Sequence, residues 1–574
     1  MTLNEALAVI NSRKPASNEK RPYYLAVGFE PLHLKTFFSA ALLQRLPDVG
    51  IEVPTGVYGD LLGNLELAAQ YAAHGAAVVL EWSDIDPRLG LRGSGGWSED
   101  LKPEILTTAQ QRCSRLESAI RKLSIRMPVA VAAPSLPLPP IGHTIGAQFS
   151  AAELTLEYVV ASLLLQLATV PGVRILHKSR LDGIPACERL DIKMELLAGF
   201  PYSLPFAARL ATSLAELLQP SHPKKGLITD LDDTLWSGIV GEVGVLGISW
   251  SEENHAQVHG LYQQMLGQLA SWGVLVAACS KNESPIVESA LARADLLLKK
   301  SSIFPVCANW NSKSQSIQNI LRTWNVGEDD VVFVDDTPME LEEAKRAFPG
   351  LSCLQFTPRD PDRVWDLLRR LRDLFGKPFL MEEDHLRRES IRASAEVREF
   401  GGLSTPDFLS SLHGTVVFDW RSDPNDKRPL ELINKTNQFN LNGLRLSEGE
   451  WRKYLDDPNT LVSVLSYSDK FGPLGKVAVV IGQKNNGAIQ VLHWVMSCRA
   501  FSRRLEHHAL HKIFARSGAE KLRFDYAVTG KNHILQGFFR ELGIGSEHNG
   551  GICLSRDVFL ARNEILPHQT RDIT

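Results

Sequence analysis

Short apolar runs alternate with stretches of helical spacing along the first part of the chain. The apolar runs predict buried strands at Tyr23–Phe29, Ala76–Leu80, Pro128–Ala133 and Val173–Leu176. Between them, apolar residues recur every three or four positions, which predicts helices at Asn64–Ala73, Pro103–Leu123 and Ala151–Leu167. This alternation is typical of a parallel sheet covered by helices, so we expect an α/β domain over residues 1–221.

A second unit of the same kind follows the short predicted linker His222–Lys225. Its predicted strands are Gly226–Thr229, Val274–Ser280, Val331–Asp335 and Leu351–Phe356. Its predicted helices are His255–Ser271, Pro285–Ala292, Ser314–Thr323, Pro338–Ala347 and Val364–Phe375. We therefore expect a second α/β domain with a parallel sheet over residues 222–378.

The rest of the chain, residues 379–574, predicts a linking helix and then an α+β domain. The charged stretch Met381–Phe400 is the linking helix. Strands are predicted at Val416–Trp420, Leu461–Tyr467, Lys476–Ile481 and Ile489–Met496, with helices near Arg504–Ala515 and His533–Leu542. A chain of 574 residues exceeds what one hydrophobic core supports, in agreement with three domains.

The overall charge argues against two classes of partner. The chain carries 62 Lys and Arg against 66 Asp and Glu, a net charge of −4, which favours neither nucleic acid nor an anionic membrane. No apolar run of about eighteen residues is present, and Met1–Lys20 has no targeting pattern, so we expect a cytoplasmic protein. The seven cysteines form no CxxC motif and predict reduced thiols.

Chemically active side chains follow the predicted strands of the second domain. They are Asp230, Asp232 and Thr234 after the first strand, Ser280 and Asn282 after the second, then Lys313, and finally Asp335 and Asp336. The carboxyl ends of parallel strands meet at one edge of the sheet, so we expect these residues to lie together. A single acidic residue after a strand is often only a helix N-cap, but the whole set predicts a catalytic site.

These residue types suit phosphoryl transfer. Asp230 would attack phosphorus and form an aspartyl-phosphate, while Asp232 would protonate the leaving oxygen and then deprotonate water. The expected cofactor is Mg²⁺. Its oxygen ligands would be the side chains of Asp230, Asp335 and Asp336 and the backbone carbonyl of Asp232. The phosphoryl oxygens would be held by Thr234, Ser280, Asn282 and Lys313. No inserted cap domain fits the intervals between these residues, so the site should be open to solvent.

The motifs resemble those of the haloacid-dehalogenase (HAD) superfamily, and more narrowly its FkbH-like branch. The residues that carry the resemblance are Asp230–Gly244, Ala278–Asn282, Phe333–Pro338, Asn434–Asn442, Met496–Arg499 and Gly199–Ser203. The resemblance implies an N-terminal domain similar to SGNH hydrolases, a capless Rossmann-like HAD domain, and a C-terminal domain similar to GNAT acyltransferases. It also implies an enzyme that takes the small phosphorylated substrate D-1,3-bisphosphoglycerate, removes phosphate, and loads glycerate as a thioester on an acyl carrier protein for polyketide-type biosynthesis.

The sequence departs from these families at several points. Asp233 stands where the FkbH-like branch usually has Asn, and Gly28–Pro31 lacks the Gly-Asp-Ser nucleophile of SGNH hydrolases, so we expect that domain to be non-hydrolytic. Arg499–Arg504 lacks the glycines of a GNAT pyrophosphate loop, which argues against ordinary acetyl-CoA chemistry. The residues expected to bind the carrier or its pantetheine arm are Asn437, Gln438, Asn440 and Arg499.

Acyl transfer would use a thiolate, and the sequence leaves two candidates open. Cys279 is the first because it precedes Ser280, and Cys498 is the second; for both, the alternative is a buried inert thiol. The whole-protein alternatives are a phosphatase that acts on a free small metabolite, and a docking subunit without catalysis, which the complete set of site residues disfavours.

Overall fold

The computed structural model describes the chain in segments separated by short gaps. The described residues are 1–12, 20–93, 97–141, 143–377, 380, 384, 391, 406–470, 472–485, 487–497, 500–501, 503–543, 552–561 and 566–573. They form two compact units, one of Met1–Ser221 with Ser447–Gly449, and one of His222–Leu446 with Glu450–Thr574. The division into three domains stays a prediction.

The first unit is built on a parallel sheet. Its strands are β1 (Lys20–Val27), β2 (Gly50–Glu52), β3 (Gly75–Val79), β4 (Val129–Ala132) and β5 (Val173–Ile175), in the order β2-β1-β3-β4-β5. Its helices are Leu3–Ser12, Leu32–Arg45, Leu61–Ala68, Trp82–Ile85, Lys102–Ser124, Ala151–Ala168, Ala186–Arg189, Ile192–Ala198 and Leu204–Leu218. Alternate residues of β1 enter different apolar clusters, Leu25 in one and Ala26 in the other, so helices cover both faces of the sheet.

Helix Ala151–Ala168 begins with a capping box between Ser150 and Glu153. Leu156, Val159 and Leu163 pack into the core of the first unit. Among the described residues it is also the helix that is long and apolar enough to cross a membrane, with a mean hydropathy of 1.4. This is weak evidence for a span, because the core helix of a folded domain passes the same test.

The second unit begins with another parallel sheet. Its strands are β6 (Gly226–Thr229), β7 (Leu275–Ser280), β8 (Ile303–Ala308), β9 (Val331–Asp335) and β10 (Ser352–Gln355), in the order β10-β9-β6-β7-β8. The helices are Val240–Val243, Gln257–Ser271, Ser284–Leu291, Lys313–Trp324, Pro338–Ala347 and Pro361–Phe375. Because β6 is the middle strand, the residue that follows it lies at the centre of the carboxyl edge.

The same unit continues into a mixed sheet. Its strands are β11 (Thr415–Asp419), β12 (Thr460–Asp469), β13 (Gly472–Asn485), β14 (Ala488–Met496), β15 (Lys521–Phe524), β16 (Ile552–Ser555) and β17 (Gln569–Ile573), in the order β16-β15-β14-β13-β12-β11-β17. Its helices are Pro406–Ser411, Arg428–Lys435, Glu448–Asp456, Leu505–Ser517, His533–Glu541 and Arg556–Leu560. The predicted linking helix Met381–Phe400 falls outside the described residues, apart from Asp384 and Ile391.

The predicted fold class is confirmed. Two parallel sheets with helices on their faces are followed by a mixed sheet with helices, in the predicted order along the chain.

Candidate active site

Asp230 follows β6 and is held at the carboxyl edge from two sides. Its backbone N–H donates to the Val334 carbonyl of β9 at 2.9 Å. The Thr229 hydroxyl donates to the Asp230 carbonyl at 2.7 Å and accepts from the Tyr262 hydroxyl at 3.0 Å. The Asp230 side chain is buried but not sealed, at 8% exposure.

Lys313 lies between two carboxylates. Its Nζ is 2.8 Å from Asp230 Oδ1 and 2.5 Å from Asp335 Oδ2, and all three side chains are buried. Burial raises the pKa of Asp230 to about 7, with Lys313 opposing the shift. Burial would lower the pKa of Lys313, but the two carboxylates raise it above its usual value. Lys313 therefore stays charged and favours the ionised form of Asp230.

The carboxylates of Asp230, Asp335 and Asp336 form a group that could hold a metal ion, with one oxygen of each within 4.8 Å of the others. Asp335 already accepts from Lys313 and from the Thr337 N–H, at 2.9 Å. Among the described residues, the hydroxyls of Thr234 and Thr337 donate to the Asp336 carboxylate, both at the long distance of 3.4 Å. The donor set fits a hard cation such as Mg²⁺. Asp230 and Asp335 both contact Lys313, so Asp336 is the least engaged of the three carboxylates.

Asp232 is fixed in place by neutral donors. Its Oδ1 accepts from Trp236 Nε1 at 2.9 Å and from the Val240 N–H at 3.0 Å, and its Oδ2 accepts from Asn282 Nδ2 at 2.7 Å. Its carboxylate lies outside the metal-type group of the three other aspartates. This placement suits proton transfer rather than side-chain ligation, and ligation by its backbone carbonyl stays a prediction.

Ser280 and Asn282 lie on the other side of Asp232. Asn282 Nδ2 also donates to Ser280 Oγ at 2.9 Å, and both side chains are buried. Since Ser280 Oγ accepts this bond, its own hydrogen is available to donate toward a phosphoryl oxygen. The structure thus brings the predicted residues Ser280, Asn282 and Lys313 to one site with Asp230 and Asp232.

Thr234 has a different place from the one predicted. It is completely buried, its hydroxyl donates toward Asp336, and its carbonyl accepts from His259 Nδ1 at 2.9 Å. These contacts position Asp336 and do not present Thr234 to a phosphate.

Asp233 adopts a left-handed backbone conformation with φ of 50°. Asn and Asp are the residues besides glycine that tolerate this conformation best, and Asp233 Oδ1 accepts from the Gly238 N–H at 2.8 Å. Asp233 can therefore form the same turn as the Asn that the FkbH-like branch usually has at this position.

Several supporting residues were not predicted from the sequence. Trp236 orients Asp232, while His259 and Tyr262, on helix Gln257–Ser271, support Thr234 and Thr229. A usable signal was present, because His259, Tyr262 and Gln263 place polar atoms on the buried face of that helix.

Cys279 lies beneath the site, where its thiol contacts the Lys313 carbonyl at 3.9 Å, and not among the polar side chains of the carboxyl edge. Successive residues of a strand point to opposite faces, so Cys279 enters an apolar cluster with Ile317 and Trp324, away from Ser280. Its side chain is 1% exposed, and burial raises the pKa of its thiol well above the usual range. The thiolate that acyl transfer requires is strongly disfavoured there. The second candidate, Cys498, and Arg499 lie outside the described residues.

Two of the residues predicted to bind the carrier, Asn437 and Gln438, lie near the edge of the β6–β10 sheet at which its strands begin. Asn437 and Gln438 line a cavity of about 380 Å³ together with Lys225 and the segment 325–330, which precede β6 and β9. Strands of this length separate the two edges by roughly 15 Å. The cavity and the Asp230 group are therefore distinct places in the second unit.

Asn440 has a structural role. It is 2% exposed, its Nδ2 donates to the Thr436 carbonyl at 2.9 Å, and its Oδ1 accepts from the Gly443 N–H at 2.8 Å. Asn437 accepts from Arg445. These bonds hold the loop to itself, so Asn440 is not available to a pantetheine arm.

Comparisons with known proteins give a likeness at the level of fold. Neither family models nor curated proteins match this sequence. The N-terminal part of BF1531 from Bacteroides fragilis, which contains a phosphatase domain and was solved with Mg, is 22% identical with a TM-score of 0.52. The match covers 66% of this chain and 100% of that one.

Weaker matches include a domain from Methanocaldococcus jannaschii, 10% identical over 25% of this chain and 99% of its own, with a TM-score of 0.20. The ribosomal-protein-S18-alanine N-acetyltransferase from Escherichia coli is 12% identical over 24% of this chain and 90% of its own, with a TM-score of 0.17. These two scores are too low to carry an argument. This chain thus shares its fold, over about two thirds of its length, with a protein that contains a phosphatase domain.

Proposed function

We propose that this chain is a Mg²⁺-dependent phosphotransfer enzyme of the HAD type, with Asp230 as the nucleophile. The observation that carries the proposal is the position of Lys313 between Asp230 and Asp335, with Asp336 close by and Asp232 fixed separately. An ion pair with a purely structural role would need neither Asp336 beside it nor Asp232 held in a separate orientation.

The chain's own residues divide the chemistry as follows. Asp230 attacks phosphorus, and Asp232 gives a proton to the leaving oxygen and later takes one from water. Lys313, Ser280 and Asn282 hold the phosphoryl oxygens as charge moves onto them. Bound by Asp230 and Asp336, Mg²⁺ would neutralise charge between the carboxylate and the phosphoryl group.

The finer proposal is that the product is glycerate loaded on an acyl carrier protein. D-1,3-bisphosphoglycerate has two phosphates, and a glyceryl thioester has none. When the carrier thiolate attacks the acyl carbon, the carbon–oxygen bond to the first phosphate breaks and that phosphate leaves. The second is a phosphate monoester: Asp230 takes its phosphoryl group, the phosphorus–oxygen bond breaks and the alcohol leaves with a proton, and water then releases phosphate from Asp230.

Two features support a substrate presented on a larger molecule. Every residue from Asp230 to Asp336 is described, and that span contains no inserted cap domain. The motif resemblance to the FkbH-like branch points to the same chemistry. Because Cys279 is buried, the proposal uses direct attack by the carrier thiol and no enzyme thioester at that residue.

The test is the intact mass of a carrier protein after incubation with enzyme, Mg²⁺ and 1,3-bisphosphoglycerate. Wild-type enzyme should give glyceryl-carrier, and Asp230→Asn should leave phosphoglyceryl-carrier. Asp233→Asn is the matched control, because it makes the same chemical change in a turn that accepts Asn. Phosphate release without any carrier adduct would instead support a phosphatase for a free metabolite.

A further inference from the structure

Helix Ala151–Ala168 of the first unit is apolar on its outer face as well as on its inner face. The inner face packs into the core of that unit. On the outer face, Tyr158 is 72% exposed, Leu165 73% and Leu154 52%. A helix that is apolar all round is normally buried on every side, so the outer face calls for a second covering surface.

The exposed apolar residues of this helix form one continuous stripe. They recur at alternating intervals of three and four residues, which is the spacing of helices that pack along each other. Because residues three and four apart lie on one side of a helix, their side chains are neighbours by the geometry of the helix itself. We call this stripe the outer seam. Its members are Ala151, Leu154, Tyr158, Ala161, Leu165 and Ala168.

The outer seam is symmetric about its own midpoint. If a second copy of the helix runs antiparallel, with a two-fold axis at that midpoint, every position of the seam faces another position of the seam. The facing pairs are Tyr158 with Ala161, Leu154 with Leu165, and Ala151 with Ala168. The surface is therefore complementary to a second copy of itself, as an isologous contact requires.

Packing favours this antiparallel arrangement over a parallel one. In the antiparallel pair, the large Tyr158 lies against the small Ala161 on both sides of the axis, so the two layers can fill evenly. A parallel pair would place Tyr158 against Tyr158 and Ala161 against Ala161. One layer would then be crowded and the other would be left open.

The charges beside the outer seam limit what can cover it. The helix contains no Lys or Arg, and its acidic residues are Glu153 and Glu157. Helices that lie on anionic membranes carry basic residues beside their apolar face, so such a membrane is disfavoured. In the antiparallel pair, the two Glu157 side chains are offset by about 8 Å along the helices, so physiological salt weakens their repulsion.

The length of the helix indicates how strong the contact can be. Its 18 residues span about 27 Å. A contact of that length and one helix in width is smaller than the standard interface of about 800 Å² per partner. It still removes two Leu and one Tyr of each copy from water. We therefore expect a reversible dimer with a dissociation constant of roughly 1–100 µM.

We propose that the outer seam is the contact surface of a two-fold symmetric homodimer of this chain. The partner is a second copy of the same chain, so the residues that it contributes are those of the seam itself. The inference concerns the first unit and is independent of the proposed function.

The first experiment measures association of the full chain. Sedimentation velocity over about 1 to 300 µM should show a shift from monomer to dimer as the concentration rises. Leu165→Glu places a charge in the contact and should raise the dissociation constant roughly tenfold or more. Leu197→Glu is the matched control, because Leu197 is 72% exposed on helix Ile192–Ala198, outside the outer seam. This control should dimerise as the wild type does.

A disulfide experiment tests the antiparallel register. Proteins with Leu154→Cys and with Leu165→Cys are mixed, both with Cys187→Ser because Cys187 is exposed. After mild oxidation, peptide mass mapping should find a disulfide between position 154 of one copy and position 165 of the other. Two copies of position 154 would lie roughly 16 Å apart along the helices, too far for a disulfide.

Four results would overturn the inference. They are a monomer at every concentration, a dimer that Leu165→Glu leaves intact, an equal loss of the dimer in Leu197→Glu, and disulfides that join position 154 to position 154. A monomer that binds phosphatidylcholine vesicles, and loses this binding in Leu165→Glu, would assign the outer seam to a lipid surface instead.

Discussion

Replacing Lys313 with Met should destabilise the β6–β10 sheet and also impair catalysis. Lys313 Nζ lies 2.8 Å from Asp230 Oδ1 and 2.5 Å from Asp335 Oδ2, and the three side chains are at most 8% exposed. At an effective dielectric constant of about 20, one such pair attracts by about 6 kcal/mol. The cost of burying the charges offsets part of this attraction, so loss of the cation should reduce the free energy of unfolding by about 3–5 kcal/mol.

The assay is urea unfolding in EDTA at pH 8, followed by hydrogen exchange of peptides from β6 and β9, which isolates this sheet from the rest of the chain. Arg346→Met is the matched control. Its Nε is 3.3 Å from Glu342, and the two side chains are 80% and 58% exposed, so the cost should stay below about 1 kcal/mol. Asp335→Asn in the Lys313→Met background should recover much of the stability without recovering activity.

The reasoning would be refuted if Lys313→Met matched wild-type stability within about 0.5 kcal/mol, or if the added Asp335→Asn gave no recovery. For catalysis, Lys313→Met should lower kcat by about a hundredfold or more, since it removes a cation aimed at the transferring group.

Three further predictions follow from the structure. EDTA should abolish phosphate release and Mg²⁺ should restore it. Undiminished turnover in EDTA would show that catalysis does not require Mg²⁺. Trp236→Phe removes a 2.9 Å hydrogen bond to Asp232. In a phosphate-release assay, kcat should therefore fall roughly tenfold with little change in KM. An unchanged kcat would show that Trp236 does not contribute to catalysis. Burial, then His568, lowers the pKa of His508 to about 3, below the unfolded value of about 6.5, so the unfolded state binds the proton first. Stability of the mixed sheet should therefore fall by up to about 1.4 kcal/mol per pH unit as the pH decreases from 6.5 toward 3, and urea unfolding of His508→Leu should show a shallower dependence.

The sequence predicted best the parts of the fold that are buried on both sides. Strands β6 and β9 were predicted with their observed bounds, because parallel central strands read as continuous apolar runs. Edge strands lack that signal. Strand β8 is apolar but is interrupted by Pro305, so the sequence indicated room for a strand between Ser280 and Lys313 without giving its bounds. Strand β17 is mostly polar and exposed throughout, and it was not predicted.

The site was predicted as far as residue type and strand position determine it. Asp230, Asp232, Ser280, Asn282, Lys313 and Asp336 come together as expected. Side-chain direction was harder, because Cys279 and Ser280 are neighbours in sequence but face opposite sides of the sheet. Asn440 and Thr234 were assigned to ligands from their motifs, whereas their hydrogen bonds to nearby residues determine their roles.

The central claim is that Asp230 carries the phosphoryl group. Wild-type enzyme quenched during turnover with phosphate substrate and Mg²⁺, and then treated with borohydride, would convert an aspartyl-phosphate to homoserine. Peptide mass mapping should find homoserine at position 230, and only when substrate and Mg²⁺ are both present. Active enzyme that yields no homoserine at position 230, or yields it at another aspartate, would contradict the account.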